Sequence, residues 1–122
     1  MATVLVVEPD PSVGDLLQET LQLVGRQATV VRSTDEALAL AAEHRFDLII
    51  TDPGQPTFGD ETAIWQPVSQ LRHVAPSTPI IVCTSYNRAA TVAPADKGVD
   101  AIILKPFDID DLLGQVARFS QP

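Results

Sequence analysis

The chain has 122 residues, 45% of them hydrophobic and 20% charged, which is typical of one globular domain. Sixteen Asp and Glu against eight Lys and Arg give a formal net charge of -8, which disfavours direct binding to nucleic acid. A single cysteine excludes an internal disulfide, and no apolar run approaches the roughly 18 residues that a membrane span needs. We therefore expect a cytoplasmic domain that does not enter a membrane.

Strand and helix patterns alternate along the chain. Short apolar runs predict five strands: Val4–Val7, Thr29–Val31, Phe46–Thr51, Pro79–Thr84 and Ala101–Leu104. Apolar residues at helical spacing predict helices over 13–24, ending at Gly25, over 37–42, capped by Ser33 and Glu36, and from Ile109, capped by Asp108. Because parallel strands need crossover connections, this alternation predicts a parallel sheet with helices on both faces.

Two connections depart from this regularity. Prolines and glycines between residues 53 and 67 predict a long loop that contains Trp65, followed by a helix that starts near Pro67 and ends before Pro76. Pro94 lies where the next helix is expected. Since an interior proline costs about 3 kcal/mol, that helix is predicted to be short, broken or shifted.

Chemically active side chains cluster at the predicted strand ends, where ligands of an open parallel sheet bind. Glu8 and Asp10 follow the first strand and Asp52 the third, Thr84 ends the fourth, and Lys105 follows the fifth. Carboxylates about 4 Å apart repel by roughly 4 kcal/mol at an effective dielectric of 20. The cluster therefore requires positive charge, which Lys105 and a hard divalent ion such as Mg²⁺ can supply.

Four motifs at these positions resemble the receiver domain of two-component response regulators, over nearly the whole chain. They are Val6-Val7-Glu8-Pro9-Asp10-Pro11, Phe46 to Asp52 with Pro56, Pro79 to Ser85, and Gly98-Val99-Asp100 leading to Lys105-Pro106-Phe107. The resemblance implies a flavodoxin-like, doubly wound sheet of five parallel strands in the order 2-1-3-4-5. We expect a single receiver domain over residues 1–122 and no output domain in this chain, since only Ser120-Gln121-Pro122 follows the last helix.

The resemblance also implies a role for each matching residue. Asp52 matches the phospho-acceptor, whose carboxylate takes a phosphoryl group from a histidine kinase. Thr84 matches the hydroxyl that closes on the phosphoryl group, and Lys105 matches the lysine that pairs with its oxygens. Ser85 stands where a small residue admits phosphodonors and water, and the bond between Lys105 and Pro106 matches one that is usually cis.

Magnesium ligands are implied at Glu8, Asp52 and the backbone carbonyl of Gly54. Pro9, however, occupies the position of the second acid of the family's acidic pair, and proline has no side-chain oxygen. Mg²⁺ binding is therefore predicted to be weakened or lost. Asp10 has two interpretations: it substitutes as a ligand, or it caps the first helix, where negative charge is stabilising, and we favour the cap.

A second departure lies three residues before the lysine. The family usually carries Tyr or Phe there as a rotameric switch coupled to the threonine, whereas this chain has Ile102. An aliphatic side chain cannot move a ring between exposed and buried states. With Pro94 nearby, the surface of the fourth helix and fifth strand is predicted to differ from a standard output face.

Three functions remain as hypotheses. In the first, the chain is a signalling switch that catalyses its own phosphorylation and dephosphorylation, with a sensor histidine kinase or phosphotransfer protein and a downstream protein partner or output domain as partners. Homodimers are common in the family and are a candidate assembly. In the second, suggested by Pro9 and Ile102, it is a pseudo-receiver that binds proteins without phosphate. In the third, it binds a small anion, although no Gly-rich phosphate loop supports this.

Overall fold

The computed structural model describes residues 2–56 and 59–120, in which five strands alternate with four α-helices. The strands are β1 (Ala2–Val7), β2 (Arg26–Val31), β3 (Leu48–Thr51), β4 (Ile80–Thr84) and β5 (Ala101–Leu104), and the helices are α1 (Pro11–Leu23), α2 (Thr34–Glu43), α3 (Thr62–Val74) and α4 (Ile109–Phe119). Two short 3₁₀ segments, Asn87–Thr91 and Pro94–Lys97, connect β4 to β5. The predicted tail at 121–122 and part of the predicted loop, at 57–58, lie outside the described residues.

All five strands are parallel and follow the order β2-β1-β3-β4-β5, which confirms the predicted sheet. Val6 of β1 pairs with Val30 of β2 and with Ile50 of β3, so these strands end at the same edge of the sheet. The chain passes from β1 outward to β2 and then returns to the other side of β1 as β3. This reversal of strand order makes the ends of β1 and β3 the expected ligand crevice.

The sheet is covered on both faces, so its central strands are buried. Val4 and Val6 of β1 belong to a core cluster with Leu17 of α1 and Leu112 of α4. The alternate residues of β1, including Leu5, belong to a second cluster with residues of α2 and α3. Full burial of each such aliphatic side chain contributes about 1.5–3 kcal/mol, and this packing holds the strand ends in place at the crevice.

Three helices begin at the caps that the sequence predicts. The side chains of Asp10, Ser33 and Asp108 accept hydrogen bonds from the backbone N–H groups of Ser12, Glu36 and Asp110, respectively. Ser33 also donates from its hydroxyl to the Glu36 carboxylate at 3.3 Å. Gly25 follows α1 with a φ of 80°, as expected for a glycine that ends a helix.

The prediction for the start of the third helix is wrong. Helix α3 begins at Thr62, five residues before Pro67, and it includes both Pro67 and Trp65, which was expected in a loop. The carboxylate of Asp60 accepts a hydrogen bond from the Thr62 N–H at 2.9 Å and so holds the first turn. The earlier start places Ile64 on the same buried face as residues 68 and 71, and this burial offsets much of the cost of an interior proline.

The irregular connection predicted around Pro94 is confirmed. Pro94 starts the second 3₁₀ segment, which ends at Gly98 in the left-handed conformation, and no α-helix forms between β4 and β5. As a result, every residue of β5 is only partly buried, and Ile102 lies partly buried against the second core cluster.

Arg72 of α3 anchors the far end of this connection. Its guanidinium donates to the carbonyl oxygens of Gly98 and Thr78, both at 2.7 Å, and to the carboxylate of Asp100 at 3.2 Å. The same Asp100 oxygen accepts a hydrogen bond from the Ile80 N–H at 2.9 Å. One side chain therefore ties α3 to the starts of β4 and β5.

Candidate functional site

Asp52 lies at the carboxyl end of β3, beside the end of β1. Its backbone N–H donates to the carbonyl oxygen of Val7 at 2.9 Å, which extends the pairing of the two strands by one residue. Its Oδ1 accepts a hydrogen bond from the Gly54 N–H at 2.8 Å, and Gly54 has a φ of 89° that suits glycine. The side chain is 12% exposed, so a reactant can reach the carboxylate from one side.

Glu8 lies at the end of β1 and is almost completely buried, with 2% of its surface exposed. Its backbone N–H donates to the Val31 carbonyl oxygen at 2.9 Å, and its Oε2 accepts a hydrogen bond from the Asp10 N–H at 3.0 Å. A carboxylate this buried must be paired to remain charged. Its remaining oxygen therefore needs a cation.

Lys105 supplies that cation at the end of β5. Its ammonium Nζ donates to Asp52 Oδ2 at 2.6 Å and also to Glu8 Oε1, so it joins the two carboxylates. Burial alone would lower the pKa of Lys105, but the hydrogen bonds to Asp52 and Glu8 outweigh burial and raise the pKa above its usual value. The three side chains carry a net charge of about −1, and all four carboxylate oxygens have a donor.

Thr84 completes the set at the end of β4, where the N–H of Lys105 donates to its carbonyl oxygen at 2.8 Å. The Thr84 side chain is fully buried, and its Oγ1 accepts a hydrogen bond from the Tyr86 N–H at 3.1 Å. Among the described residues this hydroxyl donates no hydrogen bond. Its proton is thus available for an acceptor that arrives at the site.

The structure brings together the side chains of Glu8, Asp52 and Lys105 and places Thr84 at the end of β4, next to Lys105, but it leaves the Asp10 side chain outside this cluster. The Asp10 carboxylate is exposed and accepts the Ser12 N–H at 2.9 Å, as a helix cap does. The bond between Lys105 and Pro106 is cis, as the resemblance implies. These positions follow from strand ends, which is why sequence reasoning located them.

Two hydrogen bonds near the site were not predicted. Gln55 Nε2 donates to Ser85 Oγ at 2.6 Å, and the Tyr86 hydroxyl donates to Glu61 Oε1 at 2.6 Å. Both link the segment after β3 to the segment after β4. They involve polar side chains in irregular segments, where no periodic pattern points to a partner.

Mg²⁺ is the metal that the family resemblance implies for this cluster. Glu8, Asp52 and the carbonyl of Gly54 offer oxygen donors, and Mg²⁺ usually binds one or two carboxylates while keeping several waters. Pro9 adds no side-chain oxygen, and among the described residues no three His, Cys, Asp or Glu side chains form a metal-binding group. The residues fit a Mg²⁺ ion that retains most of its water.

Known proteins give an independent comparison. The family model of the response regulator receiver domain matches residues 4–117. The transcriptional regulatory protein PcoR of Escherichia coli is 30% identical over 117 residues, which are 95% of this chain and 50% of PcoR. The response regulator protein FleR of Pseudomonas aeruginosa is 31% identical over 118 residues, 96% of this chain and 24% of FleR.

Solved structures agree with this comparison. The response regulator TrrA of Thermotoga maritima, crystallised with Mg²⁺ and BeF, has a TM-score of 0.82 and 26% identity, covering 98% of this chain and 99% of TrrA. A structure of the histidine kinase ThkA in complex with TrrA contains a chain that matches with a TM-score of 0.81 and 26% identity. The match covers 98% of this chain and 98% of the matched chain.

The sheet order and the cluster at its carboxyl edge define a signalling domain of the two-component type. The chain belongs to the response regulator receiver domain family. It spans about half the length of PcoR and about a quarter of FleR. Among the described residues, no helix has the length and apolar character to cross a membrane.

Proposed function

We propose that this chain is a phosphorylatable receiver. Asp52 takes a phosphoryl group from a sensor histidine kinase or a phosphotransfer protein, and the resulting change at Thr84 alters a surface that a downstream partner or output domain recognises. The observation that carries the proposal is the convergence of Lys105 on Glu8 and on a partly accessible Asp52. The known complex of TrrA with a histidine kinase supports this kind of partner.

The chemistry follows from the contacts of each side chain. A carboxylate oxygen of Asp52 forms a bond to phosphorus while the bond from phosphorus to the donor's imidazole nitrogen breaks, and the leaving imidazole takes up a proton. The Gly54 N–H holds the other oxygen of Asp52. Lys105 pairs with the phosphoryl oxygens, and Thr84 donates its free hydroxyl proton to one of them.

Magnesium enters this proposal as a weakly bound ion. Glu8, Asp52 and the Gly54 carbonyl would hold it, and the bound ion would supply positive charge beside the phosphoryl oxygens. Binding is weakened because Pro9 contributes no side-chain oxygen and because Lys105 already neutralises part of the carboxylate charge. Asp10 does not restore the ligand while it caps α1.

The proposed signalling role also suggests where the chain acts, what it catalyses and how its signal is passed on. A single receiver domain over residues 1–122, acting in the cytoplasm, would catalyse its own phosphorylation and dephosphorylation. The net charge of -8 argues against direct contact with nucleic acid by this domain, so output passes through a partner, an output domain or a homodimer.

One observation favours a second function, that of a pseudo-receiver. Pro9 stands beside Glu8 and brings no side-chain oxygen that could hold a metal ion for phosphoryl transfer. Such a chain would bind its protein partner in one fixed conformation.

Acetyl phosphate distinguishes the two functions. The chain is incubated with acetyl phosphate over a range of Mg²⁺ concentrations, and its intact mass is measured. We expect one phosphoryl group on the chain, lost in Asp52→Ala and kept in Asp35→Ala, which removes an exposed acid on α2. No mass increase at any Mg²⁺ concentration would rule out the receiver function and favour the pseudo-receiver.

A further inference from the structure

We propose that Tyr86 transmits the state of Asp52 to the start of α3, and that the surface formed by Glu61, Tyr86 and Arg88 displays it. This inference rests on the proposed function. Tyr86 acts as a positioning residue, since it touches Thr84 and not the phosphoryl group.

The first step links Thr84 to Tyr86. The Thr84 Oγ1 accepts the Tyr86 N–H at 3.1 Å, and this hydroxyl is fully buried. Side-chain rotamers differ by about 120°, so turning Thr84 towards a phosphoryl group on Asp52 carries Oγ1 away from that N–H. The Tyr86 N–H then loses its partner, and a shift of the Tyr86 backbone brings it to a new one.

The second step links Tyr86 to α3. The Tyr86 hydroxyl donates to Glu61 Oε1 at 2.6 Å, a charge-assisted contact that also raises the pKa of Tyr86 above its usual value. The Glu61 carbonyl oxygen accepts the N–H groups of Ile64 at 3.0 Å and Trp65 at 3.2 Å. A displacement of Tyr86 therefore reaches the first turn of α3.

The third step concerns exposure. Arg88 Nε lies 3.7 Å from Glu61 Oε1, and the two side chains are 77% and 40% exposed. Their pairing changes when the Tyr86 hydroxyl leaves Glu61, and a protein partner can sense this at the surface. Ile102, by contrast, is aliphatic and packs partly buried against the core, so it offers no polar contact to switch.

The chain provides its own probes for a test. Tyr86 and Trp65 are its only tyrosine and its only tryptophan, and both contact Glu61. The full chain, labelled with ¹³C-tyrosine, is titrated with beryllofluoride in the presence of Mg²⁺. The tyrosine ring signal in NMR and the tryptophan fluorescence are recorded together. We expect both to change, with the ring signal moving away from that of a hydrogen-bonded phenol.

Two variants test the link, with one matched control. Tyr86→Phe, which removes only the hydroxyl, and Glu61→Gln should each lose about half or more of the fluorescence response while phosphorylation of Asp52 stays within about twofold of the wild type. Glu43→Gln removes an exposed acid at the end of α2 and should leave the response unchanged.

The outcomes distinguish a failure of this inference from a failure of the proposed function. A wild-type chain that is phosphorylated but keeps its tyrosine signal unchanged overturns the inference alone, and so does a full fluorescence response in Tyr86→Phe. A wild-type chain without any mass increase overturns the proposed function as well.

Discussion

At the scale of the single residue, Pro9 is the position at which the proposed weakening of Mg²⁺ binding can be tested. Pro9 is exposed and adjoins Glu8 at the crevice, but it has no side-chain oxygen to offer a cation. Pro9→Asp should therefore tighten Mg²⁺ binding about tenfold, since each added carboxylate raises the affinity of an oxygen site for a hard cation. Isothermal titration calorimetry measures this directly.

Pro11→Asp is the matched control for Pro9→Asp. It adds the same charge to an exposed proline in the first turn of α1, away from the position of the family's second acid. An equal gain in affinity from both variants would show that bulk charge, and not a new ligand, is responsible.

The buried thiol of Cys83 should make the free energy of unfolding depend on pH. Burial raises its pKa from 9.0 to about 12, so the folded chain keeps a proton that the unfolded chain releases above pH 9. The stability that the folded chain owes to keeping this thiol protonated is fully present below pH 9, and it is lost progressively as the pH rises towards 12. Between pH 8 and 10 the free energy of unfolding should decrease by roughly 1.4 kcal/mol.

Urea denaturation of the wild type and of Cys83→Ala at pH 8 and pH 10 measures this effect. The variant loses packing at both pH values, so only the difference between the two pH values matters. An identical decrease in both proteins would assign the pH dependence to another group.

The residues of the pocket were predictable to different degrees. Glu8, Asp52 and Lys105 could be placed because each directly follows a short apolar run, and parallel strands end at a common edge. Lys105 contacts both carboxylates because of the register in which β1, β3 and β5 lie in the sheet. The spacing of residues along the chain does not reveal this register. The contact of Tyr86 with Glu61 joins two irregular segments and has no signal in the sequence.

At the scale of the element, α3 shows how packing overrides a local rule. Pro67 lacks the N–H that would bond to the Ala63 carbonyl, and such a proline costs about 3 kcal/mol. The buried residues Ile64, Val68 and Leu71 nevertheless need one continuous helical face. Sequence reasoning gave the proline more weight than the apolar spacing, and it therefore placed the start of the helix too late.

Pro67→Ala should stabilise the protein. The substitution restores a helical hydrogen bond, and we expect a gain of about 1–3 kcal/mol in the free energy of unfolding. Ser69→Ala, at an exposed position of the same helix, should change stability by less than about 0.5 kcal/mol. Thermal and urea unfolding of both variants measure the difference, and a loss of stability in Pro67→Ala would contradict the prediction.

At the scale of the whole molecule, Arg72 connects elements that the sequence presents as separate. Arg72→Ala removes hydrogen bonds to Gly98, Thr78 and Asp100 and should lower the free energy of unfolding by about 2–3 kcal/mol. Arg72→Lys should recover only part of the loss, because an ammonium cannot reproduce the planar fork of a guanidinium. Urea denaturation of the wild type, Arg72→Ala and Arg72→Lys measures the three free energies of unfolding.

Arg88→Ala is the matched control for Arg72→Ala. Arg88 is 77% exposed, so its removal should change stability by less than about 0.5 kcal/mol. Comparable losses for Arg72→Ala and Arg88→Ala would mean that the contacts of Arg72 do not hold the connection.

The position of Arg72 also has a mechanical consequence. It clamps the connection between β4 and β5 at the end farthest from Asp52, whereas the near end, from Ser85 onward, consists of short 3₁₀ turns. The far end of the connection is thus fixed by side-chain hydrogen bonds from another element of the fold. If Asp52 takes a phosphoryl group as proposed, we expect the connection to shift at its near end and not at Gly98 and Asp100, so a partner that senses the change would bind beside the crevice.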